Sequence, residues 1–270
     1  MKLLKVITVI LLSAFTLIGI DYFTLSDSWL FYGWDMFAKS EKKLPSTITI
    51  SSAKQIPSGK GIFPASPYFF TKGWFLLFAS DWENHLKEIK GNPGIQALEI
   101  GTYEGFSAIW QLENILTDST STITCIDIFN EKEIEDRFDQ NIEATGVSYK
   151  VKKLKGSSEK MLRGLSLQEY DYVHIDGSHL AKWVLSDAVL SWDLIKPGGL
   201  IIFDDYNYMP KPPQEYNPTG IDFLDEYFWK RKIREKWSKP AIDAFLKIYG
   251  PYLEVIFKKY QVVVRKKYEN

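Results

Sequence analysis

The sequence predicts a doubly wound α/β fold: a mostly parallel sheet of seven strands, covered by helices on both faces and ending in an antiparallel hairpin. Three observations predict it. Short apolar runs recur at 95–100, 122–129, 149–154, 172–176 and 199–205. Segments with helical spacing separate most of them, as a parallel sheet with crossover helices requires. The stretch "YLEVIFKKYQVVVRKK" at 252–267 then breaks the alternation, with two strand-like runs around a tight turn.

Taken in order, the chain begins with "MKLLKVITVILLSAFTLIGI", where Lys2 and Lys5 precede an uncharged stretch from Val6 to Ile20 that Asp21 closes. These fifteen apolar or small residues fall short of the ~20 that a comfortable membrane span needs. No small-x-small cleavage pattern follows cleanly. A non-cleaved anchor, giving membrane association through residues 3–20, fits the stretch as well as a buried helix does; a cleaved signal fits less well. The leading charges would export the domain, which conflicts with the cytoplasm-facing location expected from the ligand deduced below. Residues 21–70, with Pro45, Pro57, Pro64 and Pro67, read as an aromatic-rich connector. The "PSGKG" at 57–61 lacks the spacing and final hydroxyl of a phosphate-binding loop.

A domain is expected over 71–270. It opens on a helix, "TKGWFLLFASDWENHLKEIK", ended by "GNPG". After the second strand, Asn130 is a good N-cap, and Ile134, Phe138 and Ile142 repeat on one helix face before Gly146. After the fourth, a helix from Leu180 to Lys196 buries Val184, Ala188 and Leu190 or neighbours and stops at "KPGG". Residues 206–240, rich in proline and aromatics, predict a lid over a substrate or a docking surface for residues 22–37.

Composition bounds the function. The 33 Lys and Arg balance 34 Asp and Glu, for a formal net charge of −1. No global positive field exists to displace counterions, so a nucleic-acid partner is not expected. The basic run "KRKIREKWSK" at 230–239 reads as a solvated helix face. Cys125 is the single cysteine and sits in an apolar run, which excludes an intrachain disulfide. Oligomeric state is not legible.

The stretch "ALEIGTYEGFSAIW" at 97–110 carries the binding argument. Open parallel sheets bind ligands beyond the carboxyl ends of their strands, and this is the first such strand, turn and helix. Missing side chains at Gly101 and Gly105 would let a ligand lie against backbone N–H groups. A dinucleotide requires G-x-G-x-x-G, whereas the spacing here is Gly-x-x-x-Gly. Glu99 and Glu104 would moreover meet a pyrophosphate with like charge. Asp127, ending the second strand, can accept hydrogen bonds from both ribose hydroxyls. Gly156, Ser157 and Ser158 in "LKGSSEKML" can meet an adenine edge. A phosphate-free nucleoside carrying a sulfonium and an amino acid meets these requirements, and S-adenosylmethionine is that molecule.

With "CIDIF", "YDYVHIDGSHLAKWVLSDAVLSWDLIKPGGLIIFDDY" and "FKKYQVVVRKK" added, residues 71–267 resemble the class I S-adenosylmethionine-dependent methyltransferases. The resemblance is greatest to the small-molecule O-methyltransferase branch with the HIDGxH and FDDY signatures, and it thins between 206 and 240. It implies a Rossmann-like fold, and a cofactor held by Glu99, Gly101, Tyr103, Gly105, Ser107, Asp127, Ile128, Ser157 and Asp176.

Asp176 and His179 in "HIDGSH" and Asp204 and Asp205 in "FDDY" fall at the ends of adjacent strands. Crowded carboxylates repel unless a cation neutralises them, and hard oxygen ligands suit Mg²⁺ or another divalent cation. The resemblance implies Asp176, Asp204 and Asp205 as metal ligands, and Asp176 and His179 as the catalytic pair. A metal would lower the pKa of an acceptor hydroxyl, and His179 could take its proton. Family members that methylate sugar hydroxyls use a histidine in this position. The blander readings stay open: Asp205 capping a loop, and Asp176 binding cofactor alone. His174 reads as a satisfied buried histidine and His85 as a surface residue. The function expected is methyl transfer to a hydroxyl of a small molecule. The alternative is a catalytically silent nucleoside-binding module that recruits partners.

Overall fold

Seven strands form one sheet in the order β3-β2-β1-β4-β5-β7-β6. The computed structural model describes residues 66–208, 210, 219–233 and 236–268. The predicted anchor at 1–20 and nearly all of the connector at 21–70 lie outside the described residues. Among those described, no helix is long and apolar enough to cross a membrane.

The strands are β1 (Gln96–Ile100), β2 (Thr122–Asp127), β3 (Val151–Lys155), β4 (Tyr170–Ile175), β5 (Ile195–Phe203), β6 (Leu253–Lys258) and β7 (Val262–Lys266). The first five run parallel, and β7 pairs antiparallel with both β5 and β6. The predicted fold class is the observed one. The chain steps outward from β1 to β3, then returns to β4 on the other side of β1. That reversal opens a crevice at the carboxyl ends of β1 and β4, where such sheets bind ligands.

Two helical layers cover the sheet. On one face lie α1 (Ala79–His85), α2 (Phe106–Asn114) and α3 (Lys132–Ala144). Ala97, Tyr172 and Ile202 pack there with Trp82, Ile109 and Phe138. On the other lie α4 (Ser158–Leu162), α5 (Ala181–Leu194) and α7 (Ser238–Tyr249); Leu98, Ile100, Val173 and Ile201 pack there with Val184, Ala188 and Phe245. Neighbouring strand residues point to opposite faces. The split between Ala97 and Leu98, and between Tyr172 and Val173, therefore fixes where each later polar residue points. The remaining helix, α6 (Asp222–Ile233), falls inside the predicted lid.

Ile134, Phe138 and Ile142 are all buried on α3, as their spacing requires. The helix expected from residue 71 is shorter. A 3₁₀ turn spans Trp74–Leu77 and only Ala79–His85 is α-helical. Thr71 is unavailable to a helix because its backbone N–H and its hydroxyl both donate to Glu104, at 2.7 and 2.8 Å. Helix α3 starts after Glu131 without a side-chain cap, one residue later than an Asn130 cap predicts. The "KPGG" expected to stop α5 lies inside the early part of β5.

Candidate functional site

The turn after β1 is built from left-handed residues. Gly101 and Gly105 both have φ of 85° and Tyr103 has φ of 49°. A Cβ on Gly101 would stand 2.2 Å from the Asp176 carbonyl oxygen and 2.4 Å from Gly177 Cα. A Cβ on Gly105 would meet the Phe138 ring at 3.0 Å. Both spaces are filled by the protein itself: the loop after β4 crosses Gly101, and α3 packs on Gly105. This corrects the expectation that the absent side chains make room for a ligand. The Gly101 N–H donates to Ile126 O and the Gly105 N–H to Thr102 O, both at 2.8 Å, so neither is offered to a ligand.

The two acids of this stretch also face inward. Glu99 is fully buried; Ser107 Oγ donates to Oε1 at 2.7 Å, and Gln111 Nε2 donates to Oε2. Glu104 is equally sealed, with Arg137 Nε donating at 2.6 Å beside the two Thr71 donors. The expected repulsion of a pyrophosphate by Glu104 therefore fails, because Arg137 on α3 neutralises that carboxylate. Asn141 completes the clamp, donating to the Glu104 and Phe69 carbonyls at 2.9 Å.

Asp127 points into the crevice edge. Its Oδ2 accepts the Tyr103 N–H at 2.9 Å and its Oδ1 accepts the Phe129 N–H at 2.9 Å. Each oxygen keeps a further lone pair. The Gly156 N–H donates to the Asp127 carbonyl at 2.8 Å, which brings exposed Ser157, at the start of α4, alongside. Ile128 follows on β2's exit and is 58% exposed. Tyr103, Asp127, Ile128 and Ser157 thus border one rim. Gly101 and Gly105 shape the turn behind it, and Ser107 ties that turn to Glu99.

Across the crevice the second group converges. Oxygens of Asp176 and Asp204 and a nitrogen of His174 lie within 4.8 Å of one another, as do ligand atoms of Asp176, His179 and Asp205. Asp176, shared by both sets, follows β4; its N–H donates to Ile100 O at 2.8 Å, and the Asp204 N–H donates to Ile175 O at 3.0 Å. Asp205 has φ of 57°, a left-handed conformation that Asp tolerates better than most residues. His179 Nδ1 lies 2.6 Å from Asp205 Oδ2. Tyr260 donates its hydroxyl to Asp205 Oδ1 at 2.5 Å. Asp205 is therefore a junction between two side chains rather than a loop cap.

The electrostatics follow from this crowding. Burial, and after it the charge of Asp204, pushes the Asp176 carboxyl well above the usual range; His174 partly opposes this. The Asp205 carboxylate raises the His179 imidazole above its ordinary value despite burial. His174 is fully buried, 3.8 Å from Glu99 and 3.7 Å from Asp204, too far for hydrogen bonds. Burial alone would depress it, but the two flanking carboxylates push it up to about 10.

His174 was missed as a member of the site. The usable signal was parity: His174 shares its strand face with Asp176, and it registers laterally with Glu99 on β1. His85, expected at the surface, is half-buried against Phe257, with ring centroids 4.8 Å apart. The described ends of the 206–240 segment do reach the site. Tyr208 and Trp237 stand 4.9 and 6.4 Å from the His179 ring.

The sheet thus brings Asp127 after β2 and a mixed acid–histidine cluster after β4 and β5 to one crevice, where sheets of this kind bind ligands. Residues 98–206 match a family described as a methyltransferase domain. No curated protein matches the chain. Among solved structures, a candidate rRNA methylase from Clostridium thermocellum is 10% identical, with 71% of this chain and 96% of that one covered and a TM-score of 0.52. A candidate caffeoyl-CoA O-methyltransferase from Staphylococcus aureus is 16% identical, with 71% and 83% covered and a TM-score of 0.50. At these identities the likeness establishes the fold. The matched segment carries the turn after β1, Asp127 and the acid–histidine cluster.

Proposed function

We propose that the protein transfers a methyl group from S-adenosylmethionine to a hydroxyl of a small molecule, with a divalent cation assisting and His179 as general base. The observation that carries the reading is the pairing across one crevice of two unlike groups. Asp127 stands at the nucleoside rim, and the Asp176–His179–Asp204–Asp205 cluster stands opposite. The finer family placement, the HIDGxH and FDDY branch, rests on the same residues.

The donor set fits both bound groups. Asp127 retains acceptor capacity for two hydroxyls, and the crowded carboxylates offer hard oxygen atoms whose mutual repulsion a divalent ion would relieve. Asp176, Asp204 and Asp205 would hold that ion. When bound, the sulfonium supplies an electrophilic methyl and the ion lowers the pKa of a nearby hydroxyl. The chain's own residues do the rest. Asp205 holds His179 by Nδ1, which leaves Nε2 as the atom that receives the acceptor's proton. Tyr208 and Trp237 flank that imidazole and limit water at the acceptor side. This supports a covering role for residues 206–240 within a domain of 71–270. The acceptor in this reading is a small hydroxylated molecule and not a nucleic acid. Residues 3–20 would attach the domain to a membrane with the domain facing the cytoplasm, which protease protection of membrane fractions tests.

Calorimetry with S-adenosylhomocysteine and with NAD⁺, each with and without EDTA, tests the cofactor assignment. Transfer of a labelled methyl group across a library of phenols, sugars and alcohols tests the reaction. Binding of NAD⁺ in preference to the nucleoside overturns the cofactor. Tight nucleoside binding with no transfer in the presence of Mg²⁺ favours the silent binding module instead.

A further inference from the structure

We infer that Tyr260 is a positioning residue of the acceptor side, acting through Asp205 on His179; the inference deepens the reading of His179 as the base. Tyr260 lies in the β6–β7 turn, beyond the segment that matches the methyltransferase family. Its hydroxyl donates to Asp205 Oδ1 at 2.5 Å, while Asp205 Oδ2 sits 2.6 Å from His179 Nδ1. One carboxylate is therefore held from both sides, and the proton shared with His179 belongs on Nδ1. Nε2 is then the atom with the free lone pair.

The bracket around Tyr260 is rigid. Its ring stacks on Phe78 with centroids 5.2 Å apart and planes 17° apart. Its carbonyl accepts the Tyr206 N–H at 2.8 Å, which ties the hairpin turn to the loop after β5. The next residue, Gln261, accepts the Trp82 indole N–H at 3.0 Å. Asp205 itself sits in a left-handed conformation, which an isolated loop residue would leave readily. A second side-chain contact on its far oxygen keeps the carboxylate aimed at His179. The linkage continues beyond the acceptor side. Phe78 follows Trp74 by one helical turn, and the Trp74 ring lies 5.7 Å from that of Tyr103 on the nucleoside turn. The segment 74–78 thus touches both halves of the crevice.

The test is Tyr260→Phe in the full-length chain, which keeps the ring stack and removes only the O–H. Nitrogen-15 spectra of the histidine side chains, recorded in EDTA at a pH where His179 is neutral, report its tautomer. Asp205→Asn, whose amide can donate to Nδ1, supplies the reference for the other tautomer and His179→Gln the assignment. The wild type should show the Nδ1–H form, and Tyr260→Phe should move toward the Asp205→Asn spectrum. Turnover of an accepted hydroxyl substrate should fall roughly tenfold to a hundredfold in kcat with little change in KM. S-adenosylhomocysteine affinity should not change. A Tyr260→Phe spectrum identical to wild type overturns the inference. Because the spectrum needs no turnover, it decides this point even if no methyl transfer is found, in which case the proposed reaction fails separately.

Discussion

Gly101→Ala probes the part of the fold on which both halves of the crevice depend. The added methyl would stand 2.2 Å from the Asp176 carbonyl oxygen and 2.5 Å from its carbon, and both are backbone atoms that cannot rotate away. The residue would also keep φ at 85°. Left-handed backbone costs an L-residue about 1–2 kcal/mol, and forcing a packed contact open costs about 1–3 kcal/mol. The total is about 2–5 kcal/mol. For a domain of this size each kcal/mol moves Tm by about 2–4 °C, so a loss of roughly 4–20 °C is expected in calorimetric unfolding. Gly94→Ala is the control. Gly94 has φ of 69° but nothing within 4 Å of a built Cβ, so it carries only the backbone cost of about 1–2 kcal/mol. The excess loss in Gly101→Ala isolates the contact with the β4–α5 loop. Affinity for S-adenosylhomocysteine should fall as well, because that loop carries Asp176. Equal Tm values for the two variants would refute the close approach and, with it, the account of why this position is glycine.

Other outcomes follow from the same geometry. Asp127→Asn should weaken S-adenosylhomocysteine at least tenfold, since the amide must turn one N–H₂ toward the Tyr103 or Phe129 N–H; calorimetry checks this. His179→Gln should lower kcat by about 10²–10⁴ while leaving nucleoside affinity unchanged, as read from steady-state kinetics and calorimetry. Arg137→Met should cost about 2–3 kcal/mol in urea unfolding. It strands the buried Glu104 carboxylate, though Arg137's own partial exposure keeps the cost below that of a fully buried pair. His174 predicts a pH dependence in EDTA. Its folded value is raised to about 10, so its stabilisation is complete below about 6.5 and is lost as pH rises through about 10. Urea midpoints of wild type and His174→Gln should therefore converge from pH 7 to 10, and parallel curves would refute a cationic His174.

Periodicity was enough to read the sheet, because alternating apolar runs and helical spacing are local signals. Val184 and Ala188 on α5, and Ile134, Phe138 and Ile142 on α3, bury as their spacing demands. What periodicity does not carry is which element lands opposite a given residue. Gly101 was legible as a close approach, but not that a protein carbonyl fills the space. Glu104 was legible as an acid in a binding turn, but Arg137 lies 33 positions away and neutralises it through a helix crossing that no local pattern encodes. Tyr260 lies 55 positions from Asp205 and meets it only because β7 inserts between β5 and β6.

His174 shows how topology converts a bland position into a linking one. On its strand it alternates with Tyr172, whose side chain is core. Laterally it registers with Glu99 of β1 on one side and Ile202 of β5 on the other. Parity then sets Asp204, two residues beyond Ile202, on the same face. The Glu99 carboxylate beneath the turn after β1 and the Asp204 carboxylate after β5 are consequently spaced by a single imidazole, 3.8 and 3.7 Å away. Those two carboxylates are what raise the imidazole against its own burial. The histidine therefore links the β1 and β5 ends of the crevice, a position that arises from the order in which the strands are laid down.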